Sequence, residues 1–128
     1  MLRIYSVALD VCRDAARIAK QIEKHDTSLA NQLRRCASSI PLNIREGSGS
    51  FGGNRKLRYH SALGSAGEVY ACYDTAEAMG YVDPIGDEAR RRVDHVIGTL
   101  VKVLRLRRCG GRAFLPQCRS HHRESAMC

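Results

Sequence analysis

Tryptophan is absent from the 128 residues, and only two phenylalanines and five tyrosines are present. A core built on aromatic rings is therefore excluded, and the interior must be filled by aliphatic side chains. Long apolar runs are missing too. The longest stretches without a charge, residues 36–44 and 59–67, reach nine residues each, against the about 20 that a membrane-spanning helix needs. Near the N-terminus, Asp10, Arg13 and Asp14 interrupt what would have to be the apolar region of a secretory signal. These absences predict a cytoplasmic protein with no membrane partner. In that reducing compartment the six irregularly spaced cysteines read as thiols rather than as a disulfide framework.

Acidic residues are scarce as well: 13 carboxylates face 21 lysines and arginines, a net charge of +8. Such a balance favours an acidic partner, nucleic acid above all. The excess is uneven. Residues 105–128 hold six arginines against the single carboxylate of Glu124, a net +5, leaving +3 for residues 1–104.

What is there is helical periodicity. Ile4, Val7, Val11, Ala15, Ile18 and Ile22 recur at steps of 3 and 4, the stripe of an amphipathic helix. Residues 25–28 supply a turn and N-cap candidates, after which Leu29, Leu33, Cys36, Ile40 and Ile44 form a second stripe. Pro41 falls inside it, where the missing N–H and the ring should kink the helix or weaken a turn. Residues 47–53 read as a flexible connection, with Asn54 as the cap of a third helix over about residues 55–79 and Gly80 as its left-handed terminator. Asp83 as N-cap and Pro84 at the first helical position open a fourth helix, whose apolar face is Val93, Val96, Ile97, Leu100, Val103 and Leu104. No segment reads as a strand. The expected fold is all-α, an antiparallel up-down four-helix bundle over residues 1–108, because short connections force neighbouring helices to run in opposite directions. Residues 109–128, rich in Arg, Cys and His, show no apolar periodicity and are expected to form a disordered tail.

Few constellations carry chemistry. Gly47, Gly49 and Gly52 spell G-x-G-x-x-G, but after a helix rather than a strand, so the dinucleotide reading fails. Cys109, Cys118, His121, His122 and Cys128 lack any recognised zinc spacing. Cys12, Cys36 and Cys72 lie on or near apolar stripes with no activating His and carboxylate. No catalytic residue, metal or cofactor is therefore expected. Arg90, Arg91 and Arg92 have carboxylates four residues away in Asp94, Asp87 and Glu88, so intrahelical ion pairs account for them. Arg55, Lys56, Arg58, Lys102, Arg105, Arg107 and Arg108 lack such partners and are the candidates for phosphate contact. On the second helix Arg35, Ser39, Asn43 and Glu46 form a polar stripe opposite the apolar one. This stripe reads either as a solvated structural face or as a contact with another subunit or nucleic acid; because Glu46 would repel phosphate, subunit contact is favoured over nucleic acid, with Glu68 as a possible partner for Arg34 or Arg35.

Residues 32–47 (QLRRCASSIPLNIREG), 59–68 (YHSALGSAGE) and 79–82 (MGYV) together resemble the four-helix bundle proteins encoded in intervening sequences of 23S rRNA, over about residues 3–105. Pro41 inside the second helix, then Asn43, then Glu46 and Gly47, carry the likeness, so the resemblance accommodates a proline that periodicity rejects. That family is in turn similar to the accessory variability protein of diversity-generating retroelements, a homopentameric barrel with a basic surface that partners a reverse transcriptase and binds nucleic acid. The resemblance implies a homo-oligomer, expected to be a pentamer, without catalytic residues, with RNA or DNA and a reverse transcriptase or other protein as possible partners. A protein-interaction scaffold without nucleic-acid binding is the alternative. Arg45 departs from the family's usual Ala, and the tail beyond about residue 108 lies outside the shared pattern.

Overall fold

The computed structural model describes residues 2–107; the expected tail, Arg108 and the candidate zinc ligands fall outside them. Four helices follow one another: α1 (Leu2–Glu23), α2 (Thr27–Ser48), α3 (Gly52–Ala78) and α4 (Asp87–Arg107). Each packs on its neighbours in sequence, and α4 closes the ring against α1. The expected up-down bundle is what forms, and no strand occurs among the described residues. Its core is aliphatic: Ile4, Val11, Ile22, Leu33, Ile40, Ile44, Val69, Val93, Val96 and Leu100 are fully buried, with Tyr73 the one large aromatic among them.

The first turn is tight. Asp26 caps α2 by accepting the Leu29 N–H at 2.9 Å, satisfying a donor that has no partner within the helix. Pro41 is buried inside α2, which runs on without interruption. A proline frees the carbonyl four residues earlier. That carbonyl, on Ala37, accepts the Cys12 thiol of α1 at 3.3 Å, so the group orphaned in one helix is satisfied from the next.

Three local expectations need correction. Residues 47–53 are less loop than the glycines suggest. Gly47 and Ser48 close α2, Gly52 opens α3, and only Gly49, Ser50 and Phe51 connect them. Gly47 lies within the helix, and the position takes glycine because a Cβ there would stand 2.7 Å from Cδ1 of Tyr59, whose ring is buried. Glycine here permits the close approach of α2 and α3. Second, Asn54 lies within the first turn of α3, where its amide donates to Ser50 Oγ at 3.3 Å; the capping position belongs to Phe51, which offers no side-chain acceptor. Third, Asp83 and Pro84 do not start α4. The Ile85 N–H donates to Glu77 Oε2 at 2.7 Å, Ile85 is buried, and the Tyr81 ring stacks on His25 at 5.3 Å. These contacts hold residues 81–86 over the bundle end in non-helical form, and α4 begins at Asp87 with Asp87 and Glu88 in its first turn, where carboxylates favour the helix dipole. Gly80 does terminate α3. Its φ is 77°, and the Tyr81 and Gly80 N–H groups reach the Ala76 and Glu77 carbonyls at 2.9 and 3.0 Å, the paired bonds of a Schellman terminus.

Candidate functional site

In an up-down bundle the start of α1, the end of α2, the start of α3 and the end of α4 share one pole. The polar contacts fix this register: Cys12 meets Ala37, Ser39 meets Ser65, Asp14 meets Arg92 and Asp74 meets Arg90. Residues 2–9, 40–62 and 97–107 thus make one half of the molecule, and residues 10–39 and 63–96 the other. The first half carries eight cations, namely Arg3, Arg45, Arg55, Lys56, Arg58, Lys102, Arg105 and Arg107, against one carboxylate, Glu46. The second carries nine cations against eleven carboxylates. A modest overall charge therefore separates into a strongly basic pole and a slightly acidic one.

The ion pairs follow the same division. Among the described residues, every one lies in the acidic half. Asp14, the buried carboxylate, receives Arg92 at 2.7 Å and Arg17 at 3.0 Å. Arg34 reaches Glu23 at 2.6 Å, and Arg13 reaches Asp10 at 2.6 Å. Of the three intrahelical pairs expected around Arg90–Arg92, only Glu88–Arg92 forms, at 3.1 Å. Arg90 turns instead toward α3, pairing with Asp74 at 3.0 Å and Glu77 at 3.2 Å while its guanidinium lies 4.9 Å from the Tyr70 ring centre. A stacked guanidinium with two carboxylates gains more than one exposed pair along its own helix supplies.

At the basic pole three of the cations have neutral partners. Arg45 stands 5.6 Å from the Tyr5 ring centre, Arg55 Nε donates to the Ser50 carbonyl at 3.0 Å, and Arg58 Nη1 contacts Asn43 Oδ1 at 3.4 Å. Lys56, Lys102, Arg105, Arg3 and Arg45 are exposed, whereas Arg55 and Arg58 are half-buried. The structure thus gathers the expected phosphate-contact residues from α3 and α4 at one end. Sequence reasoning missed Arg3 and Arg45, which join that pole only once α1 and α2 are laid alongside. The available signal was the up-down topology itself, onto which the charges could have been folded.

The polar stripe of α2 divides. Ser39 Oγ and Ser65 Oγ lie 2.9 Å apart, and the Asn43 amide donates to the Ser39 carbonyl at 2.9 Å and to its Oγ at 3.0 Å. Both residues are half-buried within the protomer between α2 and α3. Arg35, Glu46 and Glu68 are exposed. Glu68 accepts from Gln32 at 3.3 Å rather than from Arg34 or Arg35, because Arg34 is committed to Glu23. The outer face of α3 exposes Leu57, Ser61, Gly64, Gly67 and Ala71, small residues apart from Leu57, and Leu42 on α2 is exposed as well.

Burial pushes the Cys12 thiol up, against the opposing pull of Arg13, and a protonated thiol is a poor nucleophile. The Cys36 thiol donates to the Leu33 carbonyl at 3.5 Å, and the neighbouring Cys72 thiol together with burial pushes it up as well. His60 and His95 are exposed. Among the described residues no cluster of three or more His, Cys, Asp or Glu is placed to hold a metal ion, and no helix is long and apolar enough to cross a membrane.

Comparison with known proteins places this architecture. A crystal structure of a protein of unknown function from the S23 ribosomal protein family of Bacteroides thetaiotaomicron superposes with a TM-score of 0.73, covering 80% of this chain and 98% of that one at 15% identity. At that identity the likeness is one of fold. No curated protein matches the sequence. The family described as 23S rRNA-intervening sequence protein matches residues 1–102, all of the bundle but the last five residues of α4, and the chain belongs to that family.

Proposed function

We propose that this protein is a non-enzymatic, homo-oligomeric adaptor that binds the phosphate backbone of RNA or DNA through its basic pole. One observation carries the reading: Arg3, Arg45, Arg55, Lys56, Arg58, Lys102 and Arg105 of that pole face solvent or neutral groups, while every carboxylate of the described residues except Glu46 lies in the other half. Unneutralised cations concentrated on one surface release the counterions of a polyanion on contact, and that release drives binding. Self-association, with a pentamer as the expected number, is supported by the family likeness, by the exposed small-residue face of α3, and by Arg35 and Glu46, exposed members of the α2 stripe without an ion pair among the described residues. The same likeness makes a reverse transcriptase or other protein a candidate partner.

Gel-shift titrations across a salt series test the reading. Binding should weaken steeply with salt. Lys102→Glu with Arg105→Glu should lower affinity at least about tenfold and flatten the salt dependence by roughly one unit of slope per cation removed. Lys20→Glu with Lys24→Glu, in the acidic half, should change little. A protein that shifts neither RNA nor DNA at low salt is not an adaptor of this kind. The second reading, a scaffold that binds only protein, is favoured by one feature, the exposed Leu42 and Leu57 on adjoining helices; loss of a protein partner on replacing both by Ser, with nucleic-acid affinity absent throughout, would establish it.

A further inference from the structure

Phe51 is the most exposed large apolar residue among those described, at 82%, and nothing in the local fold calls for it. It occupies the capping position of α3, where Ser, Thr, Asp or Asn would satisfy a free N–H and a phenyl ring satisfies none. Gly49 and Ser50 precede it and Gly52 and Gly53 follow, the last two with no atom within 4 Å of where a Cβ would stand, so the ring's surroundings are open. It also projects from the basic pole. Arg55 and Lys56 lie one turn further along α3, and Arg45 lies in the last turn of α2. An accessible aromatic face set among cations matches a ligand offering phosphates and unpaired base faces together. Duplexes offer phosphates while their base faces stay stacked inside.

We propose that Phe51 is a base-stacking platform and that the basic pole takes single-stranded nucleic acid in preference to duplex. The inference rests on the nucleic-acid reading above and adds the ligand class and the residue that selects it. Because the chain has no tryptophan, Phe51→Trp in the intact chain places a lone tryptophan at the site, which can be excited selectively over the five tyrosines. Its emission should be quenched by oligo(dT) and by oligo(U) at low salt, and comparison of the two distinguishes DNA from RNA. Phe51→Ala, an exposed change that should leave the circular dichroism spectrum intact, should weaken binding of a labelled single strand by about 5- to 150-fold and duplex binding little. Lys56→Glu should weaken both. If labelled strands bind while tryptophan emission stays constant and Phe51→Ala loses nothing, stacking is wrong and the electrostatic reading stands. If no nucleic acid binds at all, both fail. A blue shift of the tryptophan with protein concentration alone would assign Phe51 to a contact between protomers and overturn the proposal.

Discussion

At the residue scale, Gly47 and Pro41 are two positions where helix propensity points the wrong way and packing decides. Alanine is favoured over glycine inside a helix by about 1 kcal/mol, yet forcing a methyl into a filled space costs about 1–3 kcal/mol. The Tyr59 ring, 4% exposed, has no room to retreat. Gly47→Ala is therefore expected to destabilise by about 1–2 kcal/mol in urea unfolding. Gly64→Ala, with nothing within 4 Å, should stabilise the isolated protomer by up to about 1 kcal/mol. If that same change weakens self-association, the outer face of α3 is a subunit contact; unchanged assembly would place the contact elsewhere. Pro41 and Cys12 form a coupled pair. Cys12→Ala leaves the Ala37 carbonyl without a donor, a loss of about 1 kcal/mol. Pro41→Ala restores the backbone donor, so the cost of Cys12→Ala should shrink in that background. A double-mutant cycle showing strict additivity would remove the thiol from this role.

At the element scale, what could be read from the sequence depended on how far each helix is governed by its own residues. α1, α2 and the end of α3 were legible because apolar steps of 3 and 4, the Asp26 cap and the Gly80 terminator act locally. The start of α4 was not, since Asp83-Pro84 is a good local initiator overruled by partners from α3 and from the turn between α1 and α2, namely Glu77 and His25. The Pro41 register was legible only through the family likeness, because the thiol that accommodates it is 29 residues away. Glu77 gives this element boundary a pH dependence. The Ile85 N–H, aided by Arg90 and opposed by burial, holds its carboxyl below the ordinary 4.5. A depressed folded value means that the stabilisation is complete above the ordinary one and disappears as pH falls through the depressed one. Glu77→Gln should thus cost about 1 kcal/mol near neutral pH, and its stability should converge on that of the parent on acidification below 4.5. A difference that persists unchanged at pH 3 would mean that the charge contributes nothing.

At the scale of the whole molecule, composition concealed the main electrostatic feature. A net +3 over residues 1–104 suggests a mildly basic bundle, whereas the fold sorts those charges into unequal ends. Arg55, Lys56, Arg58, Lys102 and Arg105 were identifiable from their lack of carboxylates at helical spacing, a local property. Their meeting with Arg3, Arg45 and Phe51 required the arrangement of all four helices. Conversely, Ser39 and Asn43 were legible as a stripe, but which side of it faces α3 depends on packing that no single helix encodes.

The uneven ends of the bundle also bear on assembly. In the proposed oligomer, protomers related by a rotation axis parallel to their helices would stand with like ends level, so closing a ring would crowd all the positive ends onto one rim and make them repel. A strand threaded along that rim would relieve the crowding, and by thermodynamic reciprocity whatever strand holds the ring together is held more tightly by the ring than by its parts. Sedimentation at low salt should then show the oligomer tightening when a short strand is added; equal association with and without it would mean that ring closure and ligand capture are independent.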